Sequence, residues 1–187
     1  LPLMQAAKAV QDELGAPPAR PAGAERGEGA PASDGDGGSG GAKPPGLDNE
    51  RRTVTALRKR ALPALGLTAT TYGEALQHEQ EVLMLVSDIV MEMFAAESAT
   101  LRAAQAVALG HPAAALQSDA AAIFTHDAAL RVDTHARTLF AGMLSGDALR
   151  TSLAGLRRIL KVAPINTIAA RRRIADAVTD QRRYIFG

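Results

Sequence analysis

Gly35, Gly37 and Gly40 stand in the order G-x-G-x-x-G, the spacing with which backbone amides cradle a pyrophosphate at a helix N-terminus. That chemistry needs a strand to deliver the glycines and a helix to receive the phosphate. Here no strand pattern precedes them, and Pro44-Pro45 follows. The phosphate-loop pattern fails too, because Ala42 precedes Lys43 and a proline follows it. These glycines therefore read as linker. Four histidines, His78, His111, His126 and His135, show no i,i+4 pair and no H-E-x-x-H. His126 has Asp127 beside it, yet no third ligand shares its helical face, so the histidines read as surface or capping groups rather than metal ligands. No serine is placed on a strained elbow, so no Ser-His-Asp arrangement can be argued.

Two carboxylates are better candidates. Glu97 falls between two apolar rows of a long helical stretch, beside Phe94 and Leu101, and Asp127 stands similarly inboard on the next helix. A carboxylate inside a bundle is a general base, the partner of an arginine or the cap of a neighbouring helix end, and one of the two structural roles is the reading favoured for both. The expected donor for Glu97 is a basic side chain of the last helix. The final third is rich in such groups: Arg150, Arg157, Arg158, Lys161, Arg171, Arg172, Arg173, Arg182 and Arg183 face only Asp176 and Asp180. This end reads as a solvated face with arginines paired across the bundle to Glu50, Glu74, Glu79 and their neighbours. The competing reading is a contact for phosphates, CoA-like anions, anionic lipid or an acidic partner surface. No residue qualifies as catalytic, cofactor-binding or metal-ligating.

The composition narrows the classes. The chain has 187 residues, enough for one domain with a real core, and a net charge of +1, too small for a nucleic-acid binder. Aromatic residues make up 3% and tryptophan is absent, which argues against base-stacking platforms and carbohydrate sites. There is no cysteine, hence no disulfide framework or thiolate chemistry, which fits a reducing compartment. No apolar run reaches the ~20 residues of a membrane span, and no signal-peptide pattern is present. Leu1-Pro2-Leu3-Met4 begins abruptly inside a helix-like pattern, the mark of a piece of a longer chain.

The elements that would position these groups are all helical. Residues 2–14 place Leu3, Ala7, Val10 and Leu14 on one face, ended by Gly15 and Pro17-Pro18. Residues 15–46, dense in Gly, Pro, Ala, Ser and acidic groups, bury too little to order a backbone and read as a flexible linker. The remainder, 47–187, reads as an antiparallel bundle of four to five helices. Asp48 is the expected N-cap of the first, and Pro63 and Gly66 should kink or break it. Residues 79–109 form the central helix. Val82, Val86, Ile89, Met93, Ala96, Ala103 and Val107 make one buried row and Leu83, Val90, Phe94, Leu101 and Ala104 its neighbour. Phe94 is expected where several helices meet. After Gly110-His111-Pro112, residues 113–144 carry a stripe of Leu116, Ala120, Phe124, Ala128, Val132, Ala136, Leu139 and Met143. Leu149, Leu153, Leu156 and Leu160 mark a shorter helix, and Asn166 or Thr167 caps a last one running out to Phe186.

The segments 79–105 (EQEVLMLVSDIVMEMFAAESATLRAAQ) and 148–186 (ALRTSLAGLRRILKVAPINTIAARRRIADAVTDQRRYIF) together resemble the C-terminal extension of bacterial acyl-CoA dehydrogenases, near the very-long-chain group. LPLMQAAKAVQDEL at the start resembles the segment leaving the catalytic core of that family. The resemblance implies an accessory domain packed on an upstream core that holds FAD and the catalytic glutamate and dehydrogenates a fatty acyl-CoA at its α and β carbons. It further implies a bacterial cytoplasmic homodimer, with contact at a membrane surface an option, and no chemistry carried by this stretch. A stand-alone helical module docking through its basic end is the alternative.

Overall fold

A computed structural model describes residues 46–186. The segment read as a helix at 1–14 and nearly all of the linker read at 15–46 lie outside the described residues. Five α-helices follow one another: α1 Asp48–Tyr72, α2 Gln80–Ala108, α3 Ala114–Met143, α4 Gly146–Ile159 and α5 Thr167–Gln181, with a 3₁₀ turn, Gly73–His78, between α1 and α2. No strand occurs among the described residues. The all-α bundle expected from the sequence is the fold observed.

The boundaries follow from local chemistry. α2 ends in a Schellman arrangement: Gly110 takes φ +63°, its N–H donates to the Val107 carbonyl, and the His111 N–H reaches back to Ala106. His111 then closes the turn, its Nδ1 accepting the Ala113 N–H at 3.1 Å. Asn166 caps α5 as expected, its Oδ1 accepting the Ala169 N–H at 3.0 Å. Two expectations fail, and of the kink or break foreseen at Pro63 the break does not occur. Asp48 is not a cap: Leu47 precedes the helix without a capping side chain and is buried against Ala103 and Ala121. Entry into α1 is thus fixed by apolar burial, while Asp48 lies within the first turn. α1 does not break at Pro63, because Ala61, Ala64 and Thr68 are buried and Leu65 and Leu67 pack on the core. That burial offsets the roughly 3 kcal/mol of an interior proline. α5 stops at Gln181 with Arg182 left-handed at φ +49°, so Tyr184 to Phe186 leave the helix, and Ile185 is still buried.

α2 and α3 form the most extensive pairing of the molecule, antiparallel across the short turn at 109–113. Its seam is made of small residues. Ala96, Thr100, Ala103 and Ala106 of α2 are buried, as are Ser118, Ala121, Thr125, Ala128 and Ala129 of α3. The hydroxyls satisfy themselves on the preceding turn, Thr100 on Ala96 O at 2.8 Å and Thr125 on Ala121 O at 2.6 Å. They are therefore buried without cost to a neighbour. Larger side chains gather at one end: Val54 and Leu57 from α1, Val86 and Ile89 from α2, Val132, Leu139 and Phe140 from α3, and Leu156 from α4 form one cluster.

The small-residue seam decides which way α2 faces, and it corrects the second apolar row. Phe94 lies two residues from Ala96, about 200° around the helix, so burying Ala96 turns Phe94 outward. Phe94 is 67% exposed rather than central, and Leu101 is 63% exposed. Val90, from the same row, is also exposed. In α3 the first half is likewise rotated. Gln117, Ser118, Ala121 and Thr125 take the buried positions, leaving Leu116, Ala120 and Phe124 half-buried.

Candidate functional site

The inboard carboxylates prove to be clamps between helices. Glu97 accepts from Arg58 of α1, not from the last helix, and its side chain keeps 31% exposure. The correction follows from the rotation of α2, which turns Glu97 toward α1. Asp127 is the carboxylate that meets the arginine-rich helix, at 2.5 Å from Arg171 Nη2. Two residues along α5, Arg173 grips Asp119 with both Nε and Nη2, at 2.8 and 2.6 Å. Across the main seam Arg131 does the same to Glu92, at 2.5 and 2.7 Å, while its guanidinium carbon stands 5.6 Å from the centroid of the Phe124 ring. These bonds hold the Arg131 and Arg173 guanidinium groups above their ordinary range, the hydrogen bond to the facing carboxylate being the main cause in each. Of the basic end, Arg173 thus pairs with Asp119, Arg171 with Asp127 and Arg150 with Asp147, where Glu50, Glu74 and Glu79 were expected.

The histidines do not converge. His126 Nδ1 lies 3.4 Å from Asp127, and no group of three metal-binding side chains occurs among the described residues. Beside His126 a shallow recess opens between the start of α1, the middle of α3 and the α4–α5 connection, lined by Asn49, Glu50, Thr53, Thr125, His126 and Val162. Its space is about 220 Å³ even counting the part open to solvent, below the ~300–1,000 Å³ of pockets that enclose drug-sized ligands. Gly35, Gly37 and Gly40 lie outside the described residues.

Sequence reasoning missed one polar group altogether. Arg60, on α1, is 6% exposed, and its Nε and Nη2 find no hydrogen-bond partner among the described residues. It lies against α4 at Gly155, where a Cβ would come within 3.3 Å of Nη2. Burial, with Arg158 nearby as a lesser cause, lowers its pKa to about 10. The only signal available was an arginine in step with Leu57 and Ala64, and that position looks like any helix flank.

Four carboxylates of this five-helix body, Glu92, Glu97, Asp119 and Asp127, are each held by an arginine of a neighbouring helix. The profile described as "Acyl-CoA dehydrogenase, C-terminal domain" matches residues 56–158. A protein of Bacillus subtilis (strain 168) named "Probable acyl-CoA dehydrogenase" is 37% identical over 139 residues, covering 74% of this chain and 23% of its own length. The crystal structure of acyl-CoA dehydrogenase complexed with FAD from Bacillus anthracis superposes with a TM-score of 0.79 at 29% identity, over 98% of this chain and 28% of that one. The chain belongs to the acyl-CoA dehydrogenase C-terminal domain family. It spans about a quarter of the length of these relatives. No helix among the described residues is long and apolar enough to cross a membrane.

Proposed function

We propose that this chain is the accessory helical domain of a longer, FAD-dependent acyl-CoA dehydrogenase that acts on fatty acyl-CoA, and that it contributes packing rather than chemistry. The observation that carries this reading is the family match across residues 56–158, in a chain about a quarter as long as its relatives. On this reading 1–14 is the helix leaving the catalytic body, 15–46 a flexible linker and 47–187 the accessory bundle. FAD and the reacting carboxylate belong to that body, as do the homodimer contacts and the cytoplasmic setting of a bacterial enzyme. The domain's own acids support the division of labour. Glu92, Glu97, Asp119 and Asp127 each accept from an arginine, and a carboxylate so held is poorly placed to take a proton from a substrate.

Purification of the longer chain that carries this domain, and separately of the 187-residue chain, tests the proposal. The longer chain is expected to be yellow and to be bleached by a fatty acyl-CoA. The shorter one should carry no flavin. Stoichiometric flavin on the 187-residue chain, or a longer chain with neither flavin nor acyl-CoA-dependent reduction, would overturn it.

A further inference from the structure

The outer face of α2 has no partner among the described residues and is strongly apolar. Met84 is 66% exposed, Met91 59%, Phe94 67% and Leu101 63%, with Val90 at 36% between them. The positions 84, 87, 91, 94, 98 and 101 alternate steps of three and four, the seam spacing of a helix that packs against another. Ser87 and Ser98 fill the remaining places and leave holes between the large side chains. The stripe runs for about 25 Å at 1.5 Å per residue. Ion pairs border it on both sides, Arg58–Glu97 toward α1 and Glu92–Arg131 toward α3. An apolar centre with a polar rim is the anatomy of an interface.

We infer that this stripe is the surface by which the domain docks on the dehydrogenase body of the longer chain, an apolar helical surface of that body lying along Met84, Met91, Phe94 and Leu101. The inference rests on the function proposed above. Three occupants compete, and magnitudes separate them. A second copy of the domain would have to meet through about five side chains of one helix, short of the ~800 Å² per partner of a standard stable interface. It would also lose the translational and rotational freedom of a separate molecule. The sequence of residues 2–14 has only Leu3, Ala7, Val10 and Leu14 at helical spacing, too little apolar surface to cover the stripe. A folded body on the same chain meets neither limit: it can present a whole surface, and lying on the same chain makes the encounter intramolecular. The relatives supply such a body, since about three quarters of their length lies outside the part this chain matches, and the matched part is the C-terminal domain.

Oxidative footprinting of the full-length holoenzyme provides the test, with rates normalised to each free amino acid and Tyr184 and Leu109, exposed elsewhere, as internal references. Met84, Met91 and Phe94 are expected to react at least about tenfold more slowly than the references. Equal rates overturn the inference. A benzophenone attached through Ser98→Cys identifies what covers the stripe. Intrachain adducts to the upstream body are expected; adducts between copies, or to residues 1–14, overturn it. The double variant Met91→Asp/Phe94→Asp should raise proteolysis within residues 15–46 about tenfold while far-UV circular dichroism stays unchanged, and unchanged proteolysis also overturns it. Flavin content and acyl-CoA reduction are read on the same samples. A longer chain lacking both sinks the proposed function, while the footprint and adducts still report where the stripe docks.

Discussion

Arg60 is the residue whose chemistry is least balanced. Its guanidinium sits between α1 and α4 with two nitrogens unbonded, and its lowered pKa expresses the same imbalance in another form. A base whose folded pKa lies below its unfolded value destabilises the fold wherever it is charged. From about pH 10 up to the ordinary arginine range the unfolded chain binds the extra proton, so this contribution makes stability rise with pH across that window. Replacing Arg60 by methionine keeps the apolar stem and removes the charge. Arg60→Met is therefore expected to stabilise the 187-residue chain by about 1–4 kcal/mol in denaturant melts at pH 7, with a smaller rise toward pH 11 than in the parent. A destabilised variant would mean that the charge is satisfied by bonds the structure does not show. The carboxylates illustrate what was legible at this scale. That Glu97 and Asp127 need arginines could be read from the sequence, since inboard acids require partners. Which arginine meets which acid could not, because a partial rotation of α2 about its axis hands Glu97 from α5 to α1.

Helix positions were readable to within a residue or two wherever Gly110, Pro112 or Asn166 marked an end. The orientation of α2 was not. Apolar size was taken as the guide to burial, but this bundle buries alanine, serine and threonine in its longest seam, and the large side chains pass to the opposite face. Stability should follow the observed orientation. Leu156, fully buried in the main cluster, should cost about 2–5 kcal/mol as Leu156→Ala. Phe94→Ala in the 187-residue chain should stay within about 0.5 kcal/mol, as for a surface position. Urea melts of the two variants check the orientation, and a Phe94→Ala loss near that of Leu156→Ala would show that α2 is turned the other way.

At the scale of the whole domain the helices are not held alike. α1, α2 and α3 share the core clusters, whereas α5 buries only Ala170 and meets α3 through Arg171–Asp127 and Arg173–Asp119. Ion pairs at a surface weaken as salt shortens the Debye length from ~10 Å at 0.1 M to ~3 Å at 1 M. Amide exchange in α5 is thus expected to quicken several-fold between 0.1 and 1 M NaCl, while α2 and α3 hold steady. Equal responses would mean that burial rather than charge docks α5. The α2–α3 seam has a different consequence, one for how the domain can be mapped. Ala96, Ala103, Ala106, Ala121, Ala128 and Ala129 already are the residue that truncation scanning introduces. A scan of side-chain deletions would pass over the largest contact in the molecule in silence and rank the periphery above it. Only the opposite experiment, adding carbon to those positions, would make that contact speak.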